Sequence, residues 1–311
     1  MKFPRDSYLL PAGLVAAGVG YEIVRRIAAA YTPGAEAATA AVNSRPSVWS
    51  IALPMQPRIA IVELFGAIQG GAKVGEHVHL LDGLKADKRV RAVILEIDSP
   101  GGSAPASEYL YGAVTRLAAR KPVIAFVRGI GASGSYMVAC GATKIIALPS
   151  SIIGSIGVIS IGPVAKDLLK RLGIDVTVSK SGPYKDMGAI YRDATKEELQ
   201  KRDELIGQFF DNFVDLVSRS RGMPRDKIAE YATGEVFTGR KAAEYGLIDE
   251  VGDMDRAVQL AADLGQVPPK IVYARPRRPL FQKLFSRVGS SFAEEIAESL
   301  ESRLGGYVHY R

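Results

Sequence analysis

The sequence predicts a layered α/β domain built from repeated β-β-α units and finished by C-terminal helices. Three observations carry this. Short apolar runs end in glycine-rich turns, helical stretches separate those runs, and the chain is long and apolar enough for one large core. At 311 residues, 47% hydrophobic and 23% charged, it can bury such a core and still carry appendages.

Taken in order, Ile59 to Leu64 reads as a strand and Val74 to Leu84 as a helix. Ala92 to Ile97 is a second strand, and Pro105 to Leu117 a helix that opens with proline in its first turn. Val123 to Val127 is a strand, Gly134 to Ala142 a short helix and Lys144 to Ala147 a strand. Asp175 to Val178 is a further β-rich run. A long helix follows from Lys196 to Arg221, with Leu205, Phe209, Phe213 and Leu216 on one side and Asp193 and Thr195 as start signals.

Two strand-to-helix turns draw attention. Gly129-Ile-Gly-Ala-Ser-Gly-Ser-Tyr136 sets a serine between glycines at the start of a helix, whose free N–H groups and dipole favour developing negative charge. Asp98-Ser-Pro-Gly-Gly-Ser103 offers a second turn with bare backbone. Together they suit a nucleophile and an oxyanion cradle. The same residues also suit plain turns, because glycine supplies positive φ and serine caps helices.

A serine nucleophile needs a base. The histidines are His77, His79 and His309, and none follows the serine within the catalytic region. His77 and His79 stand two apart on a predicted helix and point apart, so no metal is assigned. Ser179-Lys-Ser-Gly-Pro-Tyr-Lys-Asp186 offers Lys180 and Lys185 instead. Holding a lysine neutral near pH 7 takes burial worth roughly 4 kcal/mol.

These motifs, with Gly154-Ser-Ile-Gly-Val158 and Phe237-Thr-Gly-Arg-Lys-Ala-Ala-Glu-Tyr-Gly-Leu-Ile-Asp249, occur in an order that resembles the short bacterial form of signal peptide peptidase A. That group is serine peptidase family S49, within the Clp protease and crotonase-like folds, and the resemblance runs from about Arg58 to Ala262. It implies Ser133 as nucleophile, Lys185 as general base and Ser155 as the serine that orients the lysine. Lys180 becomes a structural residue at a strand end. Gly102 and Gly134 become the oxyanion donors, and Pro100 and Gly101 line the path of an extended peptide. No cofactor is implied. Family members of this length form closed rings in which one protomer's serine meets its neighbour's lysine. In this chain Ser135 stands where the family has glycine, and Met137 where it has an aromatic residue.

The remaining regions frame the enzyme. Tyr8 to Gly20 is an apolar segment flanked by Lys2, Arg5, Arg25 and Arg26, shorter than a standard membrane span and suited to a signal-type anchor. Residues 1–30 are therefore expected to attach the chain to the cell (inner) membrane, and 31–57 to form a linker. The peptidase domain is expected over 58–274, and a basic linker with an amphipathic helix over 275–311. The single cysteine, Cys140, excludes an internal disulfide and reads as core packing. The net charge of +7 is spread along the chain without a nucleic-acid motif, so no nucleic-acid partner is expected.

The function expected is a serine endopeptidase with a Ser/Lys dyad, cleaving membrane-derived peptides such as remnant signal peptides. Two alternatives differ in class. A crotonase-like acyl-CoA enzyme would retain CoA on purification. A catalytically silent ring scaffold would resist labelling by a fluorophosphonate.

Overall fold

The computed structural model describes residues 56–276. The expected N-terminal apolar segment and the amphipathic C-terminal tail lie outside them, as does nearly all of the expected linker. Among the described residues, no helix is long and apolar enough to cross a membrane.

The architecture is α/β, as the alternation of apolar runs and helical stretches predicts. β1 (Arg58–Phe65), α1 (Ala72–Ala86), β2 (Val90–Ser99), α2 (Ala104–Ala118), β3 (Val123–Ala132) and α3 (Gly134–Ala139) follow one another. Then come β4 (Lys144–Ala147), β5 (Ile152–Gly154), α4 (Lys166–Arg171), α5 (Lys196–Arg221) and α6 (Arg225–Tyr231). β6 (Val236–Thr238), α7 (Gly239–Glu244), β7 (Glu250–Val251), α8 (Met254–Gly265) and β8 (Ile271–Ala274) complete the order.

One sheet runs β6-β5-β3-β2-β1-β8, with β4 pairing to both β3 and β7. All pairs are parallel except β5 with β6. Parallel strands must be buried on both faces, and the sequence meets that demand by alternation along each strand. Ala60, Val62 and Leu64 face one way, with Val93, Leu95 and Ile97, onto the core that includes α1, α2 and α3. Ile59, Ile61, Ala92 and Ile94 face the other way, onto Ala257 and Ala261 of α8. Each fully buried aliphatic side chain stabilises the fold by about 1.5–3 kcal/mol. Cys140 lies in the first core, where burial pushes its thiol up to about 12 and keeps it protonated.

α5 begins and ends for local reasons. Thr195 and Glu198 form a reciprocal capping box, and Gly222 closes the helix in the left-handed conformation at φ 63°. Asp193, read from the sequence as a start signal, instead pairs with Lys166.

The Asp175 to Val178 run is a correction. No strand forms there, and the segment between β5 and α5 contains only α4 as regular structure. Lys180 therefore closes no strand. A strand needs a neighbour to satisfy its backbone, and no strand among the described residues pairs with this run. Its apolar side chains stay exposed: Val176 is 46% accessible and Val178 42%.

Candidate active site

Because β2 and β3 are parallel neighbours, their C-terminal turns emerge side by side. This brings Asp98–Ser103 against Gly129–Ser135. The approach is backbone to backbone: a Cβ on Gly101 would stand 2.5 Å from the Gly134 nitrogen and 2.7 Å from the Ala132 oxygen. Gly101 has φ 87°, so it satisfies both the turn and the close approach.

Ser133 occupies the turn between β3 and α3 with φ 54° and ψ −126°, a conformation that L residues with a Cβ rarely adopt. Its N–H donates to the Gly154 carbonyl at 2.8 Å, and its carbonyl accepts from Met137 N–H at 3.0 Å. Although Ser133 sits at the N-cap position, its hydroxyl makes no capping hydrogen bond. A serine that serves a helix cap spends its hydroxyl on the helix N–H groups. Here the strained backbone leaves the hydroxyl at the helix N-terminus unspent, and strain of this kind gathers at functional turns.

Ser135 is different. It is fully buried, and its hydroxyl lies 2.6 Å from the Ser99 carbonyl oxygen and 2.8 Å from that of Ala132. The carbonyls absorb it, as its place in the first helical turn leads one to expect.

Two amides converge near Ser133. Gly102 forms a parallel bridge with Ile68, in which Ile68 N–H donates to Gly101 and Ser103 N–H donates to Ile68. Neither bond uses Gly102 N–H. Gly134 is the first residue of α3, where the N–H has no acceptor within the helix. The two lie close: a Cβ on Gly134 would be 3.4 Å from the Gly102 nitrogen. Such a pair can hold a developing oxyanion. Pro100 beside them is exposed and Gly101 buried.

Ser155 also has a positive φ, 50°, and its N–H donates to the Glu235 carbonyl at 2.7 Å. It follows Gly154, the residue that holds Ser133 N–H, so β5 brings it to the same site.

Lys185 belongs to no strand or helix. It is exposed in the segment between β5 and α5, and among the described residues its side chain forms no hydrogen bond or ion pair. Its neighbour Asp186 is held firmly. Arg192 bridges Asp186 and Glu198 at 2.8 Å and 2.5 Å, while Lys180 Nζ donates to Asp186 at 2.7 Å. Arg192, then Lys180, hold the Asp186 carboxyl well below the usual range, and Arg192 brings Glu198 down to about 2. Both carboxyls titrate lower here than in an unfolded chain. The stability they lend is complete above about pH 5 and is lost as pH falls through about 2. Arg192→Gln should therefore release the 180–195 segment, with tryptic cleavage after Lys180 and Lys185 accelerated severalfold at neutral pH. Unchanged digestion would mean that the network does not hold this segment.

Sequence reasoning missed Ser99, Ser107 and Arg192. Ser107 was open to detection as a small residue one helical turn after Ser103 in α2. Arg192 carries no local signal, because its two carboxylates lie six residues away on either side. The His77 ring meets the Lys73 and Glu63 carbonyl oxygens at 2.8 Å and 3.2 Å.

The sequence model of peptidase family S49 matches residues 115–268. A Synechocystis sp. protein with a provisional protease name is 34% identical over 258 residues, covering 81% of this chain and 91% of its own. The chloroplastic serine protease SPPA of Arabidopsis thaliana is 32% identical over 259 residues, covering 78% of this chain and 38% of its own length. Among solved structures, a membrane-bound stomatin-specific protease aligns with a TM-score of 0.45 and 16% identity, over 71% of this chain and 99% of that one.

Proposed function

Since the chain belongs to peptidase family S49, we propose that it is a serine endopeptidase in which Ser133 attacks and Lys185 of an adjacent copy serves as base. The observation that carries this reading is the strained Ser133, its hydroxyl free of the helix cap beside the Gly102 and Gly134 amides. Family membership favours peptide hydrolysis over acyl-CoA chemistry.

In the proposed reaction, neutral Lys185 takes the Ser133 proton as Oγ bonds to the scissile carbonyl carbon. The oxyanion rests on Gly102 and Gly134 N–H. The Lys185 ammonium then protonates the leaving amine, the C–N bond breaks, and an acyl-enzyme remains. Lys185 next deprotonates a water, which attacks the ester. Ser133 regains its proton as the acid product leaves. Ser155 orients the lysine, and extended peptide pairs along Pro100-Gly-Gly102. The substrate class proposed is membrane-derived peptide such as signal peptide remnants, met by a chain attached to the cell membrane through residues 1–30.

The shared site explains two features of the single chain. Lys185 is exposed with no side-chain partner among the described residues, and the same segment carries exposed Ile159, Ile161 and Leu172. The start of α5 adds Leu199 and Leu205, 38% and 46% accessible. Exposed apolar side chains of this kind suit an interface. A neighbouring protomer in a closed head-to-tail ring would cover it and exclude water from Lys185.

Mixing tests the sharing. Ser133→Ala and Lys185→Ala chains, each inactive, should recover about a quarter of wild-type activity after equal mixing and exchange. Random placement leaves that fraction of heterologous interfaces with both groups intact. No recovery despite demonstrated exchange would mean that each copy must hold its own dyad.

A further inference from the structure

We propose that Ser135 is a positioning residue for the peptidase reaction, tying the turn that carries Ser133 to the turn that carries Gly102 and so fixing the spacing of the two oxyanion amides. The inference rests on the proposed role of Ser133.

Ser135 has one hydroxyl proton and two carbonyls in reach, and the nearer, Ser99 at 2.6 Å, belongs to the opposite turn 36 residues away. Ser99 is also fully buried, and its Oγ accepts Gly101 N–H at 3.2 Å. The chain of contacts thus runs from α3 through Ser135 and Ser99 to the residue before Gly102. A third fully buried serine completes it. Ser107 Oγ donates to the Ser103 carbonyl at 2.9 Å and lies where a Cβ on Gly134 would fall. Three of the six buried polar residues among those described therefore surround this one pair of amides.

The Ser135 hydroxyl crosses between two catalytic turns, where a displacement of a few tenths of an ångström changes how well the amides meet a developing oxyanion. Glycine at this position leaves the crossing unmade. The resemblance set out above has glycine there, so this chain has added a tether of its own.

The test uses the full-length chain as wild type, Ser135→Ala and Ser135→Gly. It reads kcat and KM on a peptide substrate, inhibition by a peptide aldehyde, melting temperature and the site of fluorophosphonate labelling. An aldehyde forms a hemiacetal with the nucleophile and places its oxygen on the oxyanion donors. Loss of one buried neutral hydrogen bond should lower kcat about fivefold, with KM within about twofold, and weaken the aldehyde by the same factor as kcat. Unchanged kcat and aldehyde affinity in the two variants would overturn the proposal, even where the melting temperature falls. A loss confined to KM would overturn it too. If the alanine chain does not fold, Ser135→Cys keeps the size with a weaker donor and should show a smaller loss in both readings. Label recovered from Ser133 in all folded chains keeps this test separate from the peptidase reading, which fails only if Ser133 takes no label.

Discussion

Ser133→Ala is expected to lower peptide hydrolysis by at least about a thousandfold and to abolish labelling by a fluorophosphonate. The substitution removes only the hydroxyl. It keeps the Cβ that the turn already accommodates at φ 54°, and the backbone bonds to Gly154 and Met137 do not involve the side chain. The melting temperature should therefore stay where it is, which separates lost chemistry from lost structure. Ser135 is the rival hydroxyl two residues on, and Ser135→Ala should still accept the label on Ser133. Its oxygen is fully buried against two carbonyls and cannot reach a substrate without unmaking both contacts. Label on Ser135 in the wild-type chain, found by mass spectrometry of the tryptic peptide, would refute the assignment.

Lys185→Arg should be as inactive as the serine variant. An amine can accept a proton only in its neutral form, whereas guanidinium remains charged at every working pH. The change should cost little stability, because the Lys185 side chain is exposed and has no partner among the described residues. The competing lysine is already occupied, since Lys180 donates to Asp186 at 2.7 Å and to the Pro183 carbonyl at 3.1 Å. An active Lys185→Arg chain, or an inactive Lys180→Ala chain beside an active Lys185→Ala one, would sink the mechanism. Steady-state rates from pH 6 to 10 on the four proteins decide it.

The site was partly legible for a physical reason that differs from residue to residue. The glycines of Pro100-Gly-Gly102 and the Ala132-Ser-Gly134 turn show in the sequence because positive φ and bare backbone require that residue type. Ser107 and Ser99 do not show, because a buried serine is chosen by what it faces. The fate of the Ser135 hydroxyl depended on the Ser99 carbonyl 36 residues away.

By itself the sequence determined what is local. The capping box at Thr195 and the helical period of the following residues fixed α5 at Lys196–Arg221, and apolar runs placed β4 to the residue, β1 within one residue at each end and β2 within two. Only the tertiary structure decided what depends on partners. β3 runs on through Gly129 and Gly131 to Ala132, past its apolar stretch, because β5 pairs with Ile130 to Ala132. Asp175 to Val178 stays out of the sheet because no strand among the described residues pairs with it to take its hydrogen bonds. Hydrogen-bond partners across a sheet are set by long-range topology, while caps and periodicity act within one or two turns of the chain. The parallel neighbours β2 and β3 are what set Gly101 against Gly134 and leave the Ser133 hydroxyl unspent between them.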